Sequence, residues 1–390
     1  MAEAQKLADL HIHSNYSFDG VLSPVQIEQA AIQNNVEYVS MTDHNTMQAS
    51  IDFWKSQMAD LKSPSITLDS GVTFISGVEV TCKVMPVANL KGNASKVHLL
   101  IYGADLSPQS PIVRLMNIKH QNDLDYDLRR LQYLISLKPN VCVTLQEIQE
   151  WCRDNNVEGE PSNKQIMDFL DDKGIDLGIT SERRLTRLLE GMPPVERLDL
   201  DAEEVIRVGH ASGGVVLMAH PSQNLRRTAN KMDLLETLLN AGLDGFELLY
   251  NGANSDSANL IDKAVKKFAK KRSMIYSGGS DIHDLSEGNT MGKWNKNKLI
   301  TKASQEKGII KRVNAMQRAY ENGERDSVRP NVLVERFIAD CDRRVKEIKG
   351  IATEVSVKKS PKPKNKKSYH DKKLSPAEYY YAAEDEFEMK

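Results

Sequence analysis

Six histidines of this chain stand within or shortly after short apolar runs: His11 and His13 in Asp9-Leu-His-Ile-His-Ser14, then His44, His98, His220 and His283. Acids accompany them in Thr42-Asp-His44, Gly77-Val-Glu79 and Ser280-Asp-Ile-His283. Side chains alternate along an extended strand, so the imidazoles of His11 and His13 share one side, as do Asp281 and His283. Imidazole nitrogens and carboxylate oxygens together are ligands for Zn²⁺, Mn²⁺ or Fe²⁺, and a set without thiolates admits the harder ions. A single histidine at a strand end is ordinarily a hydrogen-bonded structural residue. A series of them with acids is different, because buried imidazoles and carboxylates are costly unless paired or metal-bound. A metal centre is the expectation. His120, on an expected helix, and His370, near the C-terminus, are read as structural or surface residues, and His210 as a partner of a helix C-terminal dipole. Asp9 and Asp43 either orient ligand imidazoles or cap strand ends.

The elements that must position these residues alternate. Strands are expected at 6–10, 36–41, 73–78, 96–102, 214–219, 245–249 and 274–276, and helices at 24–33, 47–61, 202–212, 231–241 and 257–271. Ser23 followed by Pro24 is a helix-start signal. Strands alternating with helices imply a parallel sheet, open or closed into a barrel, with chemistry at its C-terminal strand ends. Residues 107–200 interrupt the alternation with helices at 112–137, 145–155, 163–172 and 182–190, an inserted helical lobe beside the sheet mouth. The expected division is a discontinuous α/β body over 1–106 and 201–293, the lobe, a helical extension over 294–353, and a disordered charged tail over 354–390.

Composition narrows the function classes. The chain of 390 residues carries a formal charge of −2, with 40% apolar and 27% charged residues. No apolar run approaches the ~20 residues that span a bilayer, and no signal peptide is expected, so the expectation is a cytoplasmic protein away from membranes. Four scattered cysteines form no CxxC pair and read as reduced thiols. Residues 358–373 carry eight lysines against one acid; without 358–390 the body holds 43 basic and 48 acidic residues. A body so charged has no global basic field for a duplex, so any grip on nucleic acid is local. Nor is there a Gly-rich loop with GKS or GKT for triphosphate-driven work.

The segments Asp9-Leu-His-Ile-His-Ser14 with Ser17-Phe-Asp-Gly20, Thr42-Asp-His44, Gly77-Val-Glu79, His98, Ala219-His-Pro221 and Gly279-Ser-Asp-Ile-His283, in that order, resemble the PHP (polymerase and histidinol phosphatase) superfamily. The resemblance implies a distorted (βα)7 barrel with an inserted helical lobe, and two or three divalent ions at its C-terminal face. It implies that His11, His13, Glu79 and Asp281 hold one ion and that Glu79 bridges to a second held by His98 and His220. Asp19, His44 and His283 would hold the third, and Glu79, Asp281 and His220 form the catalytic set. Mn²⁺ stands ahead of Fe²⁺ or Zn²⁺ for this imidazole-rich set. Two ions about 3.5–4 Å apart can share a hydroxide and clamp the oxygens of an in-line displacement, so a phosphoesterase is expected.

Within the superfamily, the lobe resembles that of the group that cleaves 3′,5′-bisphosphonucleotides and trims RNA 5′ ends. A nucleotide or short single-stranded nucleic acid is therefore the expected substrate. That group places an Arg and a His on the lobe against substrate phosphate, whereas the stretch here reads Pro161-Ser-Asn-Lys-Gln-Ile-Met-Asp-Phe169. Lys164 is the substitute cation, a point charge rather than a bidentate fork. Arg226 and Arg227 are the other candidate phosphate contacts. Two alternatives remain: a monophosphatase of the histidinol-phosphate type, and a non-catalytic metal-bound subunit docking a protein partner through the C-terminal helices and tail.

Overall fold

The computed structural model describes residues 6–357, apart from 85–94, 139–140, 142, 144, 156–162, 227, 229, 252–255, 286–289, 295–297, 306–307, 327 and 330. Arg227 and the tail beyond 357 thus lie outside the described residues. The chain divides into a compact unit over 1–348 and a second over 349–390; the fold described below is that of the first.

The elements run β1 (Leu7–Ile12), α1 (Pro24–Gln33), β2 (Val36–Met41), α2 (Gln48–Ser56), β3 (Ser65–Thr67), β4 (Thr73–Val84) and β5 (Ser95–Tyr102). Four lobe helices follow: α3 (Pro111–Ser136), α4 (Leu145–Asp154), α5 (Asn163–Asp172) and α6 (Glu182–Leu189). The chain then returns through α7 (Ala202–Ala211), β6 (Val215–Met218), α8 (Pro221–Leu225), α9 (Lys231–Asn240), β7 (Gly245–Leu249), α10 (Asp256–Lys271) and β8 (Ile275–Gly278). A short hairpin, β9 (Lys293–Trp294) and β10 (Lys298–Leu299), precedes α11 (Lys302–Gln305), α12 (Ile309–Glu321) and α13 (Val332–Val357). Local chemistry sets several boundaries. Ser23 caps α1, its hydroxyl accepting from Gln26 N–H while the Gln26 side chain accepts from Ser23 N–H. Helix α2 stops at Ser56, short of the expected 61, where Met58 turns to φ 51°.

The fold is mixed α/β around an eight-stranded sheet ordered β1-β2-β4-β5-β6-β7-β8, with β3 paired to β4. Parallel pairing dominates, but β5 runs antiparallel to both β4 and β6, and β3 antiparallel to β4. This corrects the all-parallel alternation expected from sequence. The physical reason is the connection: residues 85–94 are too few for the crossover of a dozen or more residues that parallel neighbours need. The beginning of β5 therefore lies beside the end of β4, with His98 opposite Thr81. At the other margin the residues after β8 approach β1, since Asp281 N–H donates to His11 O and His13 N–H to Ile282 O. Gly279 permits that approach; a Cβ there would sit 2.1 Å from His11 Cβ.

β1 is buried along its whole length, as a strand covered on both faces requires. One core cluster holds Ile12, Val39, Phe74, Leu99, Val216 and Phe246 among others. A smaller one, around Leu10, Leu100, Tyr102 and Leu217, is sealed by Ile309, Ile310 and Val313 of α12. Val334, Ile338, Cys341 and Val345 of α13 join the main core. These apolar residues of the C-terminal helices are buried, whereas Val332 and Leu333 at the start of α13 are exposed. The lobe has its own cluster, including Leu131, Leu134, Ile166, Phe169 and Leu185. Among the described residues, no helix is long and apolar enough to cross a membrane.

Candidate metal centre

The loops after β1, β2, β6 and β8, with His11 of β1, Glu79 of β4 and His98 of β5, bring all nine expected ligand residues to one cluster. Glu79, 1% exposed, is its centre. Its Oε1 lies 2.9 Å from His98 Nδ1 and 2.9 Å from His220 Nε2. Its Oε2 lies 3.1 Å from His44 Nδ1 and 3.4 Å from both His11 Nε2 and His13 Nε2. Asp281 Oδ1 stands 3.4 Å from His11 Nε2 and 3.3 Å from His13 Nε2. Asp19 Oδ2 lies 3.3 Å from His44 Nε2 and 3.1 Å from His283 Nε2. Ser17 holds Asp19 in place, its hydroxyl donating to Asp19 Oδ1 at 2.7 Å and accepting from His44 N–H at 3.2 Å. The cluster grades outward, from fully buried His11 and His13 to Asp19 and His283, whose side chains are 25% and 34% exposed.

The donor set fits cations. Glu79 Oε2 and His44 Nδ1 are buried, face each other at 3.1 Å, and make no hydrogen bond. The Nε2 atoms of His11 and His13 face each other at 3.3 Å. Four groups have ligand atoms gathered closely enough to hold an ion: His11–Glu79–His220, His11–His13–Asp281, His13–Asp19–His283 and His13–His44–Glu79. Shared membership of His11, His13 and Glu79 makes these adjoining sites. Burial strands a negatively charged Glu79, yet the positive charge of His98, His44 and His11 more than offsets it and holds its carboxyl well below the usual range. Burial also opposes charge on His13, but Asp281 and Glu79 outweigh it and push the imidazole up to about 10.

The shell around the cluster contains a residue that sequence reading missed. Glu247, in the middle of β7 and fully buried, lies with its Oε1 3.1 Å from His11 Nδ1. Its Oε2 accepts from the His220 backbone N–H at 2.8 Å. A carboxylate on Nδ1 leaves Nε2 of His11 free to face Glu79 and Asp281. The available signal was an acid inside an otherwise apolar run, Gly245-Phe-Glu-Leu-Leu249. The two acids whose role sequence left open take the capping one. Asp9 accepts from Ser280 N–H at 2.8 Å and Gly292 N–H at 2.7 Å, and Asp43 accepts from Ser14 N–H and its hydroxyl. Burial pushes Asp9 up to about 6 despite those hydrogen bonds.

Beside the cluster opens a cleft of about 830 Å³, walled by the lobe and lined by Phe18, Asp19, Lys96, Lys119, Arg130, Lys164 and Arg197 among others. Lys164, on α5, therefore shares a cavity with the cluster residue Asp19. Arg226 does not: it sits exposed at the end of α8 and is not among the described residues lining that cleft. Lys119 and Arg197 converge on buried Asp123, which the two cations hold below its usual range against the effect of burial. Sequence reading had not singled out Lys96, Lys119, Arg130 or Arg197, because they come from a strand, a long helix and a return loop and meet only in the fold.

Comparison with known proteins bears on the domain and the fold. The PHP domain profile matches residues 9–159. A 5′-3′ exoribonuclease of Haemophilus influenzae is 24% identical over 288 residues, covering 71% of this chain and 90% of that one. A protein of Bifidobacterium adolescentis described as a metal-dependent phosphoesterase shares the fold at TM-score 0.53 and 20% identity, covering 79% of this chain and 98% of its own. An amidohydrolase of Chromobacterium violaceum with bound sulfate does so at TM-score 0.53 and 21% identity, covering 79% and 96%. Residues 9–159 of this chain thus match the PHP domain, within a fold shared with these two structures.

Proposed function

We propose that this protein is a metal-dependent phosphoesterase that hydrolyses phosphate esters of nucleotides or short single-stranded nucleic acids. The observation that carries the reading is the convergence of six imidazoles on Glu79, Asp281 and Asp19 at the edge of a cleft lined by cations. The similarity to a protein named as a 5′-3′ exoribonuclease supports the nucleic-acid substrate class. Two or three divalent ions would be held by His11, His13, Glu79 and Asp281, by Glu79, His98 and His220, and by Asp19, His44 and His283. Such ions supply Lewis-acid charge to phosphoryl oxygens and acidify water, and manganese suits an imidazole-rich set better than magnesium.

The chain's own residues do the rest. Glu247 fixes His11 and the His220 backbone, so that the deep wall of the site is rigid before substrate arrives. Glu79, Asp281 and His220 would be the catalytic set, acting through the ions they hold. Lys164 and Lys96 draw the anionic ester into the cleft. A cleft of 830 Å³ with several cations on its walls suits a nucleotide better than a small monophosphate such as histidinol phosphate.

The test is metal analysis of the purified protein together with a phosphate-release screen. Mononucleotides, bisphosphonucleotides, short oligonucleotides and histidinol phosphate are offered before and after EDTA treatment, with Mn²⁺ or Mg²⁺ restored. Release from a nucleotide or oligonucleotide that EDTA abolishes and Mn²⁺ restores is expected. Fewer than one ion per chain, or release from histidinol phosphate alone, overturns the reading.

A further inference from the structure

The cleft contains an aromatic ring whose position neither ligation nor core packing explains. Phe18 lies between Ser17 and Asp19 and stacks one face on His44, with centroids 4.9 Å apart and planes 14° from parallel. It remains 37% exposed, among the large apolar side chains left open to solvent. It lines the same cavity as Lys96, Lys164 and Arg197. The other aromatic ring of that lining, Tyr126, is covered by Arg197, whose guanidinium carbon lies 4.5 Å from the ring centroid. Phe18 is thus the ring left available for a ligand among the described lining residues.

The walls specify what else the ligand carries. Lys96 makes no ion pair among the described residues. Its amine lines the cavity together with Lys164, on the lobe helix α5. An anionic group entering the cleft meets these two amines. A ligand with an anionic group for these cations and a flat aromatic group for Phe18 is a nucleotide, and base stacking on an aromatic side chain is tolerant of base identity.

We propose that Phe18 is a stacking platform for a nucleobase adjoining the scissile phosphate, so that the cleft prefers nucleotides and single-stranded nucleic acid over sugar phosphates. This rests on the phosphoesterase reading for the position of the phosphate, but its test does not require turnover. The probes are the methylenephosphonate analogues of adenosine 5′-monophosphate and ribose 5-phosphate, which cannot be hydrolysed. Their affinities are measured by titration calorimetry on the full chain, as wild type, Phe18→Ala and Phe18→Trp, with metal content recorded for each.

The wild type should bind the nucleotide analogue at least about tenfold more tightly than the ribose analogue. Phe18→Ala should erase most of that ratio at unchanged metal content, and Phe18→Trp should restore it. Equal affinities in the wild type, no binding of either analogue, or an unchanged ratio in Phe18→Ala overturns the proposal. Phosphate release from the hydrolysable esters, measured in parallel, separates the two readings. Hydrolysis without base preference removes the platform and keeps the phosphoesterase. Base-selective binding without hydrolysis does the reverse.

Discussion

Glu247 and His11 are 236 residues apart in sequence, yet the carboxylate of one lies 3.1 Å from Nδ1 of the other, both fully buried. The same carboxylate receives the backbone N–H of His220. One side chain on β7 thereby sets the ring orientation of a residue on β1 and the chain path at the end of β6. Glu247→Ala should weaken metal binding about 10- to 100-fold, read by competition with a chelator. The orphaned His220 N–H adds about 1–3 kcal/mol of lost stability in denaturant melts. Wild-type metal affinity in this variant would show that His11 needs no such support.

Glu79 should be the most damaging single cluster residue to lose, because only a carboxylate placed between imidazoles from β1, β2, β5 and β6 can serve two ions. Glu79→Gln keeps the shape and removes the charge. Steady-state kinetics should show a fall in turnover of at least about three orders of magnitude, ~4 kcal/mol of barrier, with loss of at least one ion. Full metal content at near-normal rate would end its role as a bridge.

Lys164 belongs to the cleft and not to the cluster. Lys164→Ala should raise KM while kcat stays within about tenfold, as for a contact made equally in ground and transition states. Arg226→Ala, exposed at the end of α8, should leave both parameters unchanged. A kcat collapse in Lys164→Ala would place that amine at the reacting phosphate.

Asp9 makes stability depend on pH. Its folded pKa is about 6 against an ordinary 3.8, so the fold favours the protonated acid. The stability this contributes is fully present below about 3.8 and is lost as pH rises through about 6, on the order of 3 kcal/mol. Asp9→Asn cannot ionise and lacks this component. The stability of Asp9→Asn minus that of wild type should therefore become more favourable to the variant between pH 4.5 and 7.5, in denaturant titrations at each pH. A pH-independent difference would show that Asp9 is already ionised at low pH by its two backbone donors.

Much of the centre was legible in sequence because it rests on local rules. The period-two spacing of His11 and His13, the Asp281-x-His283 pair and the cap at Ser23 depend on residues a few positions apart. The apolar runs located β2, β7 and α1 at the bounds the fold adopts. Strand direction was not legible, because it depends on which distant strand a segment meets; the short 85–94 connection turns β5 over and puts His98 beside the end of β4. The support of His11 by Glu247, the backbone roles of Asp9 and Asp43, and the gathering of Lys96, Lys119, Arg130 and Arg197 around one cleft were equally hidden. Each is a contact between elements remote in sequence, and side-chain partners across such distances are chosen by packing, which no local spacing encodes.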